Sequence, residues 1–165
     1  MAERVLIYST AADRETIDLG RKLGSVLCEG DVVALEGELG SGKTCFAKGI
    51  AMGLGVSPEI VITSPSFSLL NEYEGRCAFF HMDVYRLEEV SEFVSAGLDE
   101  YFYQDGVVAM EWADRWPAIL PDWSVKVEFV IIDDHLRKIT LSGSHARAVE
   151  ILDDMEVYCR SEQHD

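Results

Sequence analysis

Basic residues are scarce in this chain of 165 amino acids. It contains 14 Lys and Arg against 30 Asp and Glu, for a formal net charge of −16. Proteins bind nucleic acid largely through cationic side chains that neutralise phosphates and release counterions, yet no basic run here is longer than the pairs Arg21-Lys22 and Arg137-Lys138. We therefore expect no direct contact with nucleic acid, and an RNA substrate would have to be held by another protein.

Long hydrophobic runs and paired cysteines are missing as well. No apolar stretch approaches the roughly 20 residues of a membrane-spanning helix, and the N-terminal sequence MAERVLIYST has the features of neither a signal peptide nor a transit peptide. The four cysteines form no C-x-x-C pair and the four histidines show no metal-ligand spacing, which argues against disulfides and cysteine-bound metals. We expect a cytoplasmic protein without a membrane segment.

Apolar residues are present in sufficient number to build a core, at 48% of the chain, and the length suits one domain. We expect that domain to span residues 1–159, with a loose tail over residues 160–165. Periodicity and breaker residues predict strands over residues 4–9, 31–37, 76–85 and 105–112, and helices over residues 11–28, 44–53, 88–96 and 145–159. Thr10 is the predicted N-cap of the first helix.

Antiparallel pairing is indicated for one pair of segments. Residues 124–133 and 136–143 alternate between apolar and polar side chains around a turn near Asp134, which predicts a hairpin. A further strand turns at Glu74-Gly75. Because the other strands alternate with helices, the predicted fold class is α/β, with a mainly parallel sheet flanked by helices and the hairpin added at an edge.

The sequence EGELGSGKT, residues 36–44, matches the phosphate-loop pattern G-x-x-x-x-G-K-[ST]. It lies between a predicted strand and a predicted helix, which is the context that the pattern requires. Glycines allow successive N–H groups to turn toward a phosphate, and the helix adds the positive end of its dipole. Lys43 is expected to reach the β- and γ-phosphates, and the Thr44 hydroxyl to bind Mg²⁺. The predicted nucleotide contacts are Gly37, Glu38, Leu39, Gly40, Ser41, Gly42, Lys43, Thr44 and Cys45.

Two acids end predicted strands that should lie beside this loop. Asp83 follows CAFFHM, and Glu111 follows VVAM. Taken alone, each is equally well explained as a strand-end acid that caps the next helix or is solvated. With the loop present, a second metal ligand and a group that positions water are needed. Asp83 suits the metal, and the longer Glu111 suits the water, so Lys43 and Glu111 are the predicted catalytic residues and Thr44, Asp83 and Glu111 the predicted metal residues.

The hydroxyl-rich segment TSPS allows two interpretations. Thr63, Ser64 and Ser66 are consistent with a switch that senses the γ-phosphate, or with a turn built around Pro65; on the residues alone the turn is favoured. Guanine is usually read by Asn-Lys-x-Asp or Thr-Lys-x-Asp, and the chain has neither. We therefore expect ATP rather than GTP.

Four motifs, in this order, resemble the TsaE (YjeE) family: GELGSGKT, TSPSFSLLNEY, HMDVYRL and AMEWADR. The last three are far more specific than the phosphate loop. The resemblance implies a P-loop ATPase that binds ATP and Mg²⁺, hydrolyses ATP slowly alone, and acts with the partners TsaB and TsaD in tRNA threonylcarbamoyladenosine synthesis. In this family TsaD transfers the threonylcarbamoyl group to N6 of adenosine 37, and TsaE sustains repeated turnover, so contact with tRNA would be indirect.

The resemblance also implies roles for individual residues. Asp83 matches the acid of H-x-D-x-Y-R-L near the metal. Glu111 and Trp112 match the E-W pair, with Glu111 as the catalytic group and Trp112 as a nucleotide contact. Residues 63–66 match a switch-like loop, although Ser66 stands where Thr is usual. Tyr85 and Arg86 match the same motif as Asp83 and are consistent with contacts to a partner protein. Alternatively, Tyr85 packs against the domain and Arg86 pairs with a carboxylate.

Two other functions fit a phosphate loop. A P-loop small-molecule kinase usually needs an arginine-rich lid, and the nine arginines here are not clustered. The second function is that of a non-catalytic module that binds partners in a nucleotide-dependent way. Glu111 at a strand end argues against this function.

Overall fold

A computed structural model describes residues 2–163. Its strands are β1 (Arg4–Thr10), β2 (Val32–Gly37), β3 (Leu70–Glu74), β4 (Ala78–Asp83), β5 (Gly106–Glu111), β6 (Val125–Ile131) and β7 (Arg137–Gly143). Its α-helices are α1 (Asp13–Val26), α2 (Lys43–Gly53), α3 (Val90–Ser95) and α4 (Ala146–Glu162). Short 3₁₀ helices cover Leu98–Tyr103, Ala113–Arg115 and Pro117–Ile119.

The strands form one sheet in the order β1-β7-β6-β2-β5-β4-β3. The central strands pair in parallel, β6 with β2, β2 with β5, and β5 with β4. At the two ends, β7, β1 and β3 pair antiparallel. The α/β fold class is therefore confirmed, as a mixed sheet with a parallel centre.

The predicted hairpin forms from β6 and β7, but it does not lie at the edge of the sheet. β6 belongs to the parallel centre through its pairing with β2, and β1 covers β7 on the outside. The sequence pattern could not show this, because the alternation within a strand says nothing about which strand pairs with it.

Both faces of the sheet are buried, which explains the nearly continuous apolar runs of β2 and β5. Val33 and Leu35 pack on the side of α1, α2 and α4. Val32 and Ala34, which alternate with them, pack on the side of α3 and the 3₁₀ helix that follows it. The carboxyl ends of these central strands thus open at a single edge, between two filled layers.

Glycines bring α1 and α2 into very close contact. A Cβ atom built on Gly49 would lie 2.0 Å from the carbonyl oxygen of Ile17, and one on Gly20 would lie 2.2 Å from that of Phe46. No side chain fits between these backbones, so the two helices touch along Gly20, Gly24, Gly49 and Gly53. This contact fixes the helix that starts at Lys43 against the rest of the domain.

Two predicted element ends are wrong. Ala12, not Thr10, is the N-cap of α1; Thr10 ends β1, and its hydroxyl lies 2.7 Å from that of Thr16. The last helix continues through residues 160–162, where a loose tail was predicted, because Glu162 accepts hydrogen bonds of 3.0 and 3.1 Å from Arg21 of α1. Residues 164–165 lie outside the described part of the chain.

Within residues 2–163, no helix combines the length and the apolar character that crossing a membrane requires.

Candidate functional site

The phosphate loop connects the end of β2 to the start of α2. Gly40 and Gly42 adopt positive φ angles of 78° and 110°, a region that glycine enters without strain. A Cβ on Gly37 would lie 2.6 Å from Ser41 Oγ and 2.9 Å from the Phe129 carbonyl oxygen. The loop is therefore curled tightly, and it leads directly into α2, whose first N–H groups have no intrahelical partner.

Lys43 lies almost completely buried at the centre of the loop. Its Nζ donates hydrogen bonds of 2.6 Å to the Gly37 carbonyl oxygen and 2.8 Å to that of Glu38. The same atom lies 3.9 Å from the centroid of the Trp112 ring, a cation–π contact. Burial lowers the pKa of the Lys43 ammonium, and the negative charge of Glu111 opposes that shift. The Lys43 ammonium is thus held inside the loop, against its carbonyl oxygens.

Beside Lys43, Thr44 contacts Glu111, which is 67 residues further along the chain. The Thr44 hydroxyl lies 2.9 Å from Glu111 Oε1 and 3.1 Å from Oε2. A hydroxyl carries one hydrogen and two lone pairs, so donating that hydrogen to the carboxylate leaves the lone pairs of Thr44 Oγ1 available to a cation.

Asp83 stands next to Glu111, because the parallel register of β4 and β5 pairs the two residues. Its Oδ2 accepts a hydrogen bond of 2.5 Å from the Ser64 hydroxyl, and its Oδ1 accepts one of 2.9 Å from the Tyr85 backbone N–H. The segment 63–66 is therefore attached to the acidic edge of the sheet through Ser64.

These residues surround a cavity of about 550 Å³. It is lined by Asp13, Leu39, Gly40, Gly42, Lys43, Thr44, Cys45, Ser64, Ser66, Asp83, Tyr85, Glu111 and Trp112. Of the other predicted site residues, Gly37 and Glu38 touch Lys43 through their carbonyls, and Ser41 lines a neighbouring cavity. Thr63 is exposed and is not among the lining residues. The arrangement offers one ammonium, the aliphatic hydroxyls of two segments and the carboxylates of Asp13, Asp83 and Glu111 to a single space.

Comparison with known proteins identifies the family. The model of the family described as "Threonylcarbamoyl adenosine biosynthesis protein TsaE" matches residues 10–139. The chain belongs to the TsaE family. The tRNA threonylcarbamoyladenosine biosynthesis protein TsaE of Treponema pallidum is 43% identical over 129 residues, which cover 78% of this chain and 94% of that protein. Its counterpart in Bacillus subtilis is 39% identical over 139 residues, 84% of this chain and 85% of that protein.

A solved structure supports the same relationship. The crystal structure of YdiB from Bacillus subtilis superposes with a TM-score of 0.82 at 31% identity, covering 96% of this chain and 98% of that one. The resemblance inferred from the four motifs is confirmed, and so is the fold that it implied.

A second cavity lies on the other side of the loop in this TsaE-family chain. It has a volume of about 350 Å³ and shares Asp13, Gly40 and Gly42 with the first. Its remaining lining residues are Ala11, Ala12, Thr16, Ser41, Asp134, His135 and Arg137. Sequence reasoning missed this cavity, because the β1–α1 and β6–β7 connections that form it carry no motif and meet only through the sheet order.

Trp112 follows β5 with a left-handed backbone, at φ 64° and ψ 30°. This conformation is uncommon for a residue other than glycine, and such residues concentrate at functional sites. It turns the ring between Lys43 and Tyr85, whose ring centroid lies 4.8 Å away. The position of Trp112 beside Lys43 thus has a backbone cause that the sequence did not reveal.

His81 is a further site residue that sequence reasoning missed. It is fully buried, and its Nε2 lies 2.6 Å from Glu111 Oε2. The available signal was the H-x-D spacing, since residues two apart on a strand share a face and His81 therefore lies on the same side of β4 as Asp83.

Proposed function

We propose that this chain binds ATP and Mg²⁺ in the larger cavity and hydrolyses ATP as a component of tRNA threonylcarbamoyladenosine biosynthesis. The observation that carries the proposal is the convergence of Lys43, Thr44, Asp83 and Glu111 on one space beside a complete phosphate loop. Membership of the TsaE family supplies the process in which the activity is used.

The residues fit the ligands chemically. Two glycines at positive φ and a third without room for a Cβ let the loop backbone approach a phosphate closely. The Thr44 hydroxyl and the two carboxylates are oxygen donors, the kind that Mg²⁺ prefers. Thr44, Asp83 and Glu111 would hold Mg²⁺, which would supply positive charge against the phosphates. Lys43 has to release the two carbonyls that it now contacts in order to pair with the phosphates.

The smaller cavity is the proposed site of the base. It adjoins the loop at Gly40 and Gly42, on the side away from Glu111. ATP remains the expected nucleotide, because the chain carries no motif that reads guanine. A competition titration of ATP against GTP tests this preference.

Hydrolysis is assigned to Glu111 with the help of Lys43. The Glu111 carboxylate would orient a water molecule and accept its proton, and the Lys43 ammonium would stabilise negative charge that develops on the phosphate oxygens. Asp83 holds Ser64 and thereby couples the segment 63–66 to the metal side of the cavity.

The partners we propose are TsaB and TsaD, in the cytoplasm, with tRNA reached only through them. The net charge of −16 is consistent with a subunit that leaves RNA contacts to others. The four cysteines are all free thiols, which suits a reducing compartment.

Reconstitution tests the proposal. The purified chain is incubated with TsaB, TsaD, tRNA, threonylcarbamoyl donor and ATP, and both phosphate release and modified adenosine are counted per enzyme. The proposal predicts that more than one modification per complex requires this chain and hydrolysable ATP. Phosphate that appears on an added metabolite rather than in water would instead identify a small-molecule kinase.

A further inference from the structure

His81 lies inside the sheet rather than in the cavity. It is the fourth residue of β4, is fully buried, and lies on the face that packs against α2, as does Phe79 two residues earlier, whose ring lies parallel to it at 6.1 Å. Its neighbour across the sheet is Ala109 of β5. Because Ala109 has only a methyl group, the imidazole has room to reach Glu111, one pleat further along β5.

The hydrogen bonds of the ring are unequal. Nε2 lies 2.6 Å from Glu111 Oε2, whereas Nδ1 is buried and has no hydrogen-bond partner within residues 2–163. A carboxylate only accepts, so Nε2 must carry the proton that joins the two residues. A lone pair left without a partner at Nδ1 is tolerated better than an unpaired N–H there. The geometry therefore selects the tautomer protonated at Nε2.

Glu111 depends on this bond for its orientation. Among the described residues, only Thr44 and His81 form hydrogen bonds with its carboxylate. The Thr44 hydroxyl can rotate about its own C–O bond, and it contacts both oxygens nearly equally. His81 is the rigid partner, since its ring is enclosed by β-sheet and by Phe79.

We propose that His81 is a positioning residue that fixes the Glu111 carboxylate. This inference rests on the proposed ATPase function of the site. The chain of contacts runs from a buried imidazole to the water-positioning carboxylate and then to the metal-binding hydroxyl. His81 is fully buried and does not line the cavity, so its loss lowers the rate of the chemical step and leaves ATP affinity unchanged.

Two variants separate positioning from packing. His81→Leu keeps a side chain of similar bulk and removes the donor. His81→Gln places an amide N–H close to the position of the imidazole Nε2. Met82→Leu is the matched control, because Met82 is equally buried on the same strand but packs on the opposite face. For each variant, thermal unfolding, ATP affinity by calorimetry and kcat at saturating Mg·ATP are measured.

We expect His81→Leu to lower kcat by about 10–100-fold, the usual effect of removing a group that orients a ligand, with ATP affinity unchanged. His81→Gln should recover most of the rate, and Met82→Leu should retain it. A wild-type kcat in His81→Leu, a His81→Gln variant as slow as His81→Leu, or a loss that lies in ATP affinity rather than kcat would overturn the proposal.

Nitrogen NMR of the wild-type protein tests the same bond without any activity. The protein is labelled with ¹⁵N-histidine. The His81 signal is identified by its loss from the His81→Gln or His81→Leu spectrum, or by through-bond assignment. We expect its Nε2 to carry a proton that exchanges slowly with water. The signal should persist with Mg²⁺ and a non-hydrolysable ATP analogue. A proton on Nδ1, or loss of the slow Nε2 proton on nucleotide binding, contradicts the proposal even where a variant fails to fold. Absence of hydrolysis in the wild-type complex would instead reject the ATPase function.

Discussion

The Thr44 hydroxyl of the phosphate loop lies 2.9 Å from the Glu111 carboxylate at the end of the neighbouring strand. This hydrogen bond joins the residue proposed to bind Mg²⁺ with the residue proposed to position water. It also orients the hydroxyl, whose hydrogen points to Glu111 and whose lone pairs are left for the cation.

Thr44 substitutions should separate hydroxyl chemistry from packing. Thr44→Val keeps the shape but has no lone pairs to offer, so Mg²⁺-dependent ATP binding should weaken strongly. Thr44→Ser keeps the hydroxyl and should retain it. Calorimetry in the presence of Mg²⁺ and of EDTA measures how much Mg²⁺ increases the affinity for ATP. An equal increase in Thr44→Val and in the wild type would argue against a metal role for Thr44.

Lys43→Met should abolish ATP binding without destabilising the nucleotide-free protein. Methionine retains an unbranched apolar stem against Trp112 but loses the charge that pairs with the phosphates. Burial lowers the pKa of Lys43, so the folded chain holds that proton less tightly than the unfolded chain does. Below the folded-state pKa of Lys43, its buried charge therefore destabilises the folded protein. The free energy of unfolding rises as the pH increases from that pKa to the ordinary value of 10.5.

Calorimetry and thermal unfolding at neutral pH check both parts of this expectation. Lys48→Met is the control, since Lys48 lies exposed one turn further along α2; it should bind ATP normally. A Lys43→Met variant with wild-type ATP affinity would remove the phosphate-loop assignment.

Asp83→Asn should reduce hydrolysis, and raised Mg²⁺ should restore part of it. The substitution removes a negative charge near the cation, while its amide can still bond the Ser64 hydroxyl and the Tyr85 N–H, which Asp83 now contacts. The rate of phosphate release is measured across a Mg²⁺ titration, with Asp105→Asn, at the exposed residue just before β5, as the control. Normal activity of Asp83→Asn at low Mg²⁺ would make Asp83 a structural strand-end acid.

Gly49→Ala should destabilise the fold, although alanine is the better helix former by about 1 kcal/mol. The added Cβ would lie 2.0 Å from the Ile17 carbonyl oxygen and 2.8 Å from the Arg21 nitrogen, so α1 and α2 must separate. Overpacking of this kind costs about 1–3 kcal/mol. Denaturant unfolding measures the loss of stability. Met52→Ala, at a partly exposed position of the same helix, is the control. A Gly49→Ala protein more stable than the wild type would show that the helices separate without cost.

The sequence predicted those parts of the site that are encoded locally. The phosphate loop is one continuous motif, and Asp83 and Glu111 each end a buried strand, so parallel pairing had to bring them to one edge. The sequence could not predict features that depend on distant contacts. Arg21 extends α4 through Glu162, 141 residues away.

The smaller cavity and His81 were missed for the same reason. The cavity needs the β1–α1 and β6–β7 connections side by side, which only the strand order places together. A buried histidine in an apolar strand is usually a core residue, and its bond to Glu111 follows from the register of β4 on β5. Pairing partners, rather than residue types, decided both features.

Glu111 provides the most direct test of ATP hydrolysis in the proposed function. Glu111→Gln keeps the size and can still accept the Thr44 hydrogen bond, but it cannot accept a proton from water as a carboxylate does. Removing a general base typically lowers the rate by about 10²–10⁴-fold. ATP affinity should hold or rise slightly, because a negative charge near the phosphates is lost.

The decisive measurement is repeated tRNA modification by the Glu111→Gln protein with TsaB and TsaD, paired with calorimetry of its ATP binding. We expect normal ATP binding and modification that stops after the first turnover, since the transfer step is assigned to TsaD. A variant that no longer binds ATP, or one that modifies tRNA through many cycles at the wild-type rate, would contradict the catalytic role of Glu111.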